Sequence, residues 1–107
     1  MLRIYPVMLE TVEMVAPRLK AMEQHDADLA RQCRRALASV VLNTAEGSGS
    51  LGGNRKARYH TALGSAREVV ACFEFATAVG YLPSLEADVG RRFHQIIGTL
   101  VRLVKGR

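Results

Sequence analysis

The chain has 107 residues, 49% of them hydrophobic, with no Trp, and a formal charge of +5. That length and apolar content suit one domain with a core of its own, and exclude a disulfide-dependent miniprotein or a disordered charged tail. No run approaches the roughly 20 apolar residues needed to span a bilayer, and MLRIYPVMLE lacks the apolar core of a secretory signal, so the expected setting is the cytoplasm with no membrane partner.

Ala, Leu and Val dominate, and few segments alternate with period two, so an all-α protein is expected. The first helix is predicted over residues 4–24. Ile4, Met8, Val12, Val15, Leu19 and Met22 form one stripe, widened by Val7 and Met14. Pro6 fits the first turn, where its missing N–H costs nothing. Pro17 conflicts with a helix interior, because it removes a hydrogen bond and crowds the preceding turn. The stripe stays in phase through Met22, which favours a kink; two short helices are the alternative.

Gln24-His25-Asp26 reads as a tight connection, with Asp26 capping a second helix over 26–46. Its inward face is Leu29, Cys33, Ala36, Leu37, Val40, Val41 and Thr44. The outer face is charged at Arg31, Arg34 and Arg35 and turns apolar from Ala38 to Leu42. An apolar stripe wider than one seam requires points to a subunit or partner interface. Gly47 is read as the left-handed residue closing this helix. Ser48 to Gly53 is read as a long glycine-rich loop, and Asn54 as the cap of a third helix over 54–79. There Tyr59, Ala62, Leu63, Ala66, Val69, Val70 and Phe73 carry the rhythm. Gly64, inside it, calls for compensation by a close neighbouring helix, since glycine there costs about 1 kcal/mol. Gly80 and Pro83 end the third helix, and Ser84 is the expected cap of the fourth, over 84–105. Its core face is Leu85, Val89, Phe93, Ile96, Ile97, Leu100 and Val104. Lys105 and Arg107 sit favourably at the negative end of its dipole. Short connections make an antiparallel up-down-up-down four-helix bundle.

Four elements, Arg34-Arg35-Ala36, Asn43-Thr44-Ala45-Glu46-Gly47, Gly64-Ser65-Ala66-Arg67-Glu68 and Gly80-Tyr81-Leu82, recur in this order in a known group. In them the chain resembles the bacterial four-helix-bundle proteins related to those encoded by intervening sequences of 23S rRNA genes. More distantly it is similar to the accessory variability determinant proteins of diversity-generating retroelements. The resemblance implies a bundle that self-associates, with a pentameric ring in the second group, and an association with nucleic acid.

Chemistry in the sequence is sparse. Di-iron bundles require Glu-x-x-His motifs, but Met22, Ala57 and Arg91 stand three residues before His25, His60 and His94. No metal or cofactor is expected. GSGSLGGNRK lacks the Gly-Lys-Ser/Thr ending of a phosphate loop and follows a helix, not a strand. Cys33 and Cys72 form no CxxC pair and fall on apolar faces, as buried free thiols. Ser39 and Ser65 have no nearby base. Glu46 and Glu68 are placed near buried faces, where a carboxylate needs a partner. A polar clamp of Asn43, Glu46 and Glu68 with Arg34 or Arg35 is expected in preference to acid/base catalysis. The chain is therefore read as a non-enzyme. Arg31, Arg34, Arg35, Arg55, Lys56, Arg58 and Arg67 are the candidate contacts to RNA or DNA phosphate. Arg91 and Arg92 add charge at the start of the fourth helix. The competing reading is a scaffold or adaptor that binds a protein partner, or itself, through Ala38 and Leu42.

Overall fold

The computed structural model describes residues 2–106, so Arg107 lies outside the described residues. Four helices follow in order: α1 (Ile4–His25), α2 (Ala27–Ser48), α3 (Gly52–Ala78) and α4 (Ala87–Val104). They form an antiparallel bundle in which α1 packs on α2 and α4, and α3 packs on the same two helices. The α2–α3 seam is the most extensive. Helices of about 20 residues are about 30 Å long, which accounts for the 42 × 25 × 20 Å envelope.

Each helix turns its predicted stripe inward. Met8, Val15 and Met22 of α1, Cys33 and Val40 of α2, Ala66 and Val69 of α3, and Val89, Ile96 and Leu100 of α4 are buried in a shared core. Phe73 and Phe93 meet there at a centroid distance of 6.5 Å. Thr11 and Thr44 are buried as well, and each hydroxyl donates to the carbonyl four residues back at 2.7 Å. That bond removes the cost of an unpaired buried hydroxyl. At the rim, Arg92 of α4 pairs with Glu10 of α1 at 2.8 Å, and Arg18 of α1 pairs with Glu86 ahead of α4.

α1 runs unbroken through Pro17, which removes the two-helix alternative. Pro17 and Glu13 are both exposed, so the carbonyl deprived of its donor faces water. Asp26 alone joins α1 to α2, and its carboxylate accepts the Leu29 N–H at 2.9 Å. Asp26→Ala should cost about 1 kcal/mol, read as a lowered urea midpoint with an unchanged slope. At the far end of α3, Gly80 adopts φ +85°. The Gly80 N–H bonds to Thr77 O and the Tyr81 N–H to Ala76 O, the paired closure that a left-handed residue allows. Tyr81 then stacks on His25, with centroids 5.2 Å apart, and ties this turn to the α1–α2 corner.

Several local expectations are corrected. Gly47 does not end α2; it is buried within it, and a Cβ there would lie 2.5 Å from Tyr59 Cε1. Close helix approach therefore occurs at Gly47 and not at Gly64, where a Cβ would meet nothing within 4 Å. The glycine-rich connection shrinks to Gly49–Leu51, because Gly52, Gly53 and Asn54 already belong to α3; Leu51, not Asn54, is the N-cap. The longest connection is instead Val79–Glu86, and Glu86 rather than Ser84 precedes α4.

Candidate nucleic-acid and partner surfaces

The antiparallel α2–α3 seam sets the polar side chains of the two helices opposite one another. Ser65 Oγ donates to Ser39 Oγ at 2.7 Å, and Asn43 Nδ2 donates to the Ser39 carbonyl and hydroxyl at 3.0 Å. Arg58 reaches across from α3 to Asn43 Oδ1 at 3.3 Å and pairs with Glu46 at 3.1 Å. Further along, Gln32 Nε2 donates to Glu68 at 3.2 Å. Glu46 and Glu68 are exposed, not buried, and their partners are Arg58 and Gln32 instead of Arg34 or Arg35. Both carboxylates are solvated, and through these partners the arrangement ties the two helices together.

The arginines of α2 lie toward the other end of the molecule. Arg31 pairs with Asp28 at 2.8 Å, and Arg34 pairs with Glu23 of α1 at 2.6 Å. Arg35 is exposed and lines, with Arg31, Ser39, Ser65 and Glu68, an open polar groove between α2 and α3. Arg31 lies seventeen residues before the end of α2, about 25 Å from it at a helical rise of 1.5 Å. These three residues therefore do not converge with the basic group that opens α3. Arg67 lies partway along α3, on the face shared with Lys56 eleven residues earlier.

Antiparallel packing brings the start of α1, the end of α2, the start of α3 and the end of α4 to one end. The turns meeting there carry Arg3, Arg55, Lys56, Arg58, Arg102 and Lys105, against Glu46 and, at the depth of Arg58, Glu10 as the carboxylates among the described residues. Arg55 donates to the Ser50 carbonyl at 2.8 Å, which holds it over the α2–α3 connection. Lys56 lies against the backbone of Gly106, beside Lys105; the Lys56 Nζ would be 3.3 Å from a Cβ at Gly106. The other eight basic residues among the described ones are matched by eight acidic ones. The excess positive charge of the described residues is thus collected at this end. Arg3 and Arg102 escaped the sequence reading because no local motif marks them; only the direction of each helix does.

A second surface has the opposite character. Leu9, Val12 and Ala16 of α1 and Ala38, Val41 and Leu42 of α2 line an open apolar groove of about 450 Å³. Leu42 is 60% exposed and Leu9 41%. The apolar outer face around Ala38 and Leu42 is therefore a groove floored by two helices.

Cys33 and Cys72 are free and buried between α2 and α3. Burial pushes the Cys33 thiol up to about 12, and the neighbouring Cys72 adds to the rise. The native state therefore holds a proton that the unfolded chain releases near 9.0. Stability that is complete below pH 9.0 should fall as the pH rises toward about 12. Thermal melts of Cys33→Ala and the parent across that window should show a shallower decline for the variant. Among the described residues, no group of three or more His, Cys, Asp or Glu side chains could hold a metal ion, and no helix is long and apolar enough to cross a membrane.

Comparison with curated proteins and with solved structures brought no match. A family model described as 23S rRNA-intervening sequence protein matches residues 2–102, nearly the whole of the bundle. With that coverage, and with the four helices the resemblance implied, the chain belongs to the 23S rRNA-intervening sequence protein family.

Proposed function

We propose that this protein is a non-enzymatic, self-associating helical bundle, acting in the cytoplasm as a single domain, that binds the phosphate backbone of RNA or DNA with its basic end. The observation that carries this reading is the collection of the excess positive charge of the described residues at one end, in Arg3, Arg55, Lys56, Arg58, Arg102 and Lys105. Flexible cations on solvated helix ends suit phosphate, which carries charge without sequence information. Of the aromatic residues close by in sequence, Tyr59 is buried and Tyr5, two residues from Arg3, is half-buried, so the reading rests on phosphate contacts and not on base stacking. Membership of a family named for rRNA intervening sequences supports an RNA association.

Self-association fits the α1–α2 groove, since exposed Leu42 and Leu9 are covered when a second surface docks there. A ring of copies, five by the family resemblance, would repeat the basic end around an axis and strengthen its field. The groove also favours the second reading, an adaptor for another protein with no nucleic-acid role.

The deciding experiment titrates a fluorescent structured RNA and a matched DNA duplex at several salt concentrations. Phosphate recognition gives binding that weakens steeply and linearly on a log–log plot against salt. Absence of binding at low salt would defeat the reading and leave the adaptor. Light scattering on the same samples reads self-association, and a strictly monomeric mass would remove the ring.

A further inference from the structure

Cys33 and Cys72 take no part in these surfaces, yet they are set opposite each other. The register of α2 against α3 is defined by Ser39 on Ser65, Gln32 on Glu68 and Gly47 beneath Tyr59. Carried along the same antiparallel seam, that register aligns Cys33 with Cys72. Both are buried on facing helices, and their sulfurs are close enough to alter each other's ionisation. Small residues at the seam, with glycine under the tyrosine ring, let these two helices approach closely. A disulfide demands such closeness.

The two thiols differ in access. Cys33 has 0% exposure, whereas Cys72, at 5%, borders an open groove of about 340 Å³ with Leu29, Gln32, Glu68, Ala71 and Phe75. Burial raises Cys72, but a hydrogen bond from Cys33 opposes the rise; Cys33 is raised by burial and again by Cys72. Cys72 is thus the sulfur nearer the surface, and Cys33 stands behind it.

We propose that Cys72 and Cys33 form an oxidative modification site for small hydroperoxides, in which Cys72 meets the oxidant and Cys33 resolves it into a disulfide joining α2 to α3. In the first step the Cys72 thiolate attacks the terminal peroxide oxygen. The O–O bond breaks, the alcohol (water, for hydrogen peroxide) leaves with a proton, and Cys72 becomes a sulfenic acid. In the second step the Cys33 sulfur attacks the Cys72 sulfur. The S–O bond breaks, and hydroxide leaves with the Cys33 proton as water. Two thiols are oxidised by two electrons and one hydroperoxide is reduced. Burial keeps both thiols above their ordinary range, so the reaction is slow and suits a protein modified under oxidative stress rather than a turning-over peroxidase.

The test treats the native, reduced protein with hydrogen peroxide, blocks free thiols and maps peptides without reduction. The expected product has lost two hydrogens, links the Cys33 peptide to the Cys72 peptide within one chain, and reverts with dithiothreitol. In Cys33→Ser, dimedone should trap a sulfenic acid at Cys72; in Cys72→Ser, Cys33 should stay unmodified. Oxygen added without the cross-link, a Cys72–Cys72 link between chains, or no reaction until the chain is unfolded would each overturn the proposal. The wild-type map decides even where a variant fails to fold. The stapled protein should also melt higher, by on the order of 10 °C; a cross-linked product melting below the reduced protein would show that the native seam does not accommodate the bond.

Discussion

Gly47→Ala should destabilise the bundle by about 1–3 kcal/mol, although the same substitution in an exposed helix stabilises by about 1 kcal/mol. The reversal follows from position. Gly47 is buried in α2, and an added Cβ would lie 2.5 Å from Tyr59 Cε1 and 2.8 Å from Cδ1. Tyr59 is itself only 3% exposed, so its ring has no solvent to swing into. Either the ring is forced off its rotamer or α2 and α3 separate, and separation loosens contacts all along the seam. Urea denaturation reads the loss directly. The mechanism is checked in a Tyr59→Leu background, where the ring edge is gone. There Gly47→Ala should become neutral or mildly stabilising, because only the helix-propensity gain remains. If the cost is the same in both backgrounds, the tyrosine ring is not its source.

Replacing Arg55, Lys56 and Lys105 together by Ala should weaken RNA binding on the order of 10- to 100-fold near physiological salt, and equally across sequences. Each lost phosphate contact lowers the slope of log affinity against log salt by about one. The three residues are chosen because none has a carboxylate partner among the described residues, so their removal strands no described charge. Arg58 is left in place because it holds Asn43 and Glu46 across the seam. The matched control is Arg31→Ala with Arg35→Ala, at the electrically balanced end. If that pair weakens binding as much as the triple variant, the polar α2–α3 groove is the contact surface and the basic end is not. Unchanged affinity in both variants, in a protein that still binds RNA, would remove both surfaces.

The helices were legible because periodicity is a local signal. The stripes from Ile4 to Met22 and from Tyr59 to Phe73 needed only side-chain spacing, and the observed boundaries fall within a few residues of the expected ones. Asp26 and Gly80 were legible too, since a carboxylate N-cap and a glycine closure depend on a handful of neighbouring backbone groups. Gly47 was not. A glycine after a polar helix end resembles a stop in sequence, and only the tyrosine twelve residues later, folded back on top of it, explains why side-chain volume is excluded there.

The seven basic candidates divide in the same way. Their identity and exposure could be read one residue at a time, but their grouping could not. Arg31 and Arg34 are neutralised by Asp28 and Glu23, while Arg3, Arg102 and Lys105, far apart in sequence, join Arg55 and Lys56. By itself the sequence determined four amphipathic helices, their order, and a surplus of positive charge. The tertiary structure alone decided where that surplus gathers, which glycine bears a ring, and that two lone cysteines become a facing pair. Helix formation depends on contacts three and four residues apart, whereas charge fields, steric fit and thiol proximity depend on distances between chain segments that only packing sets.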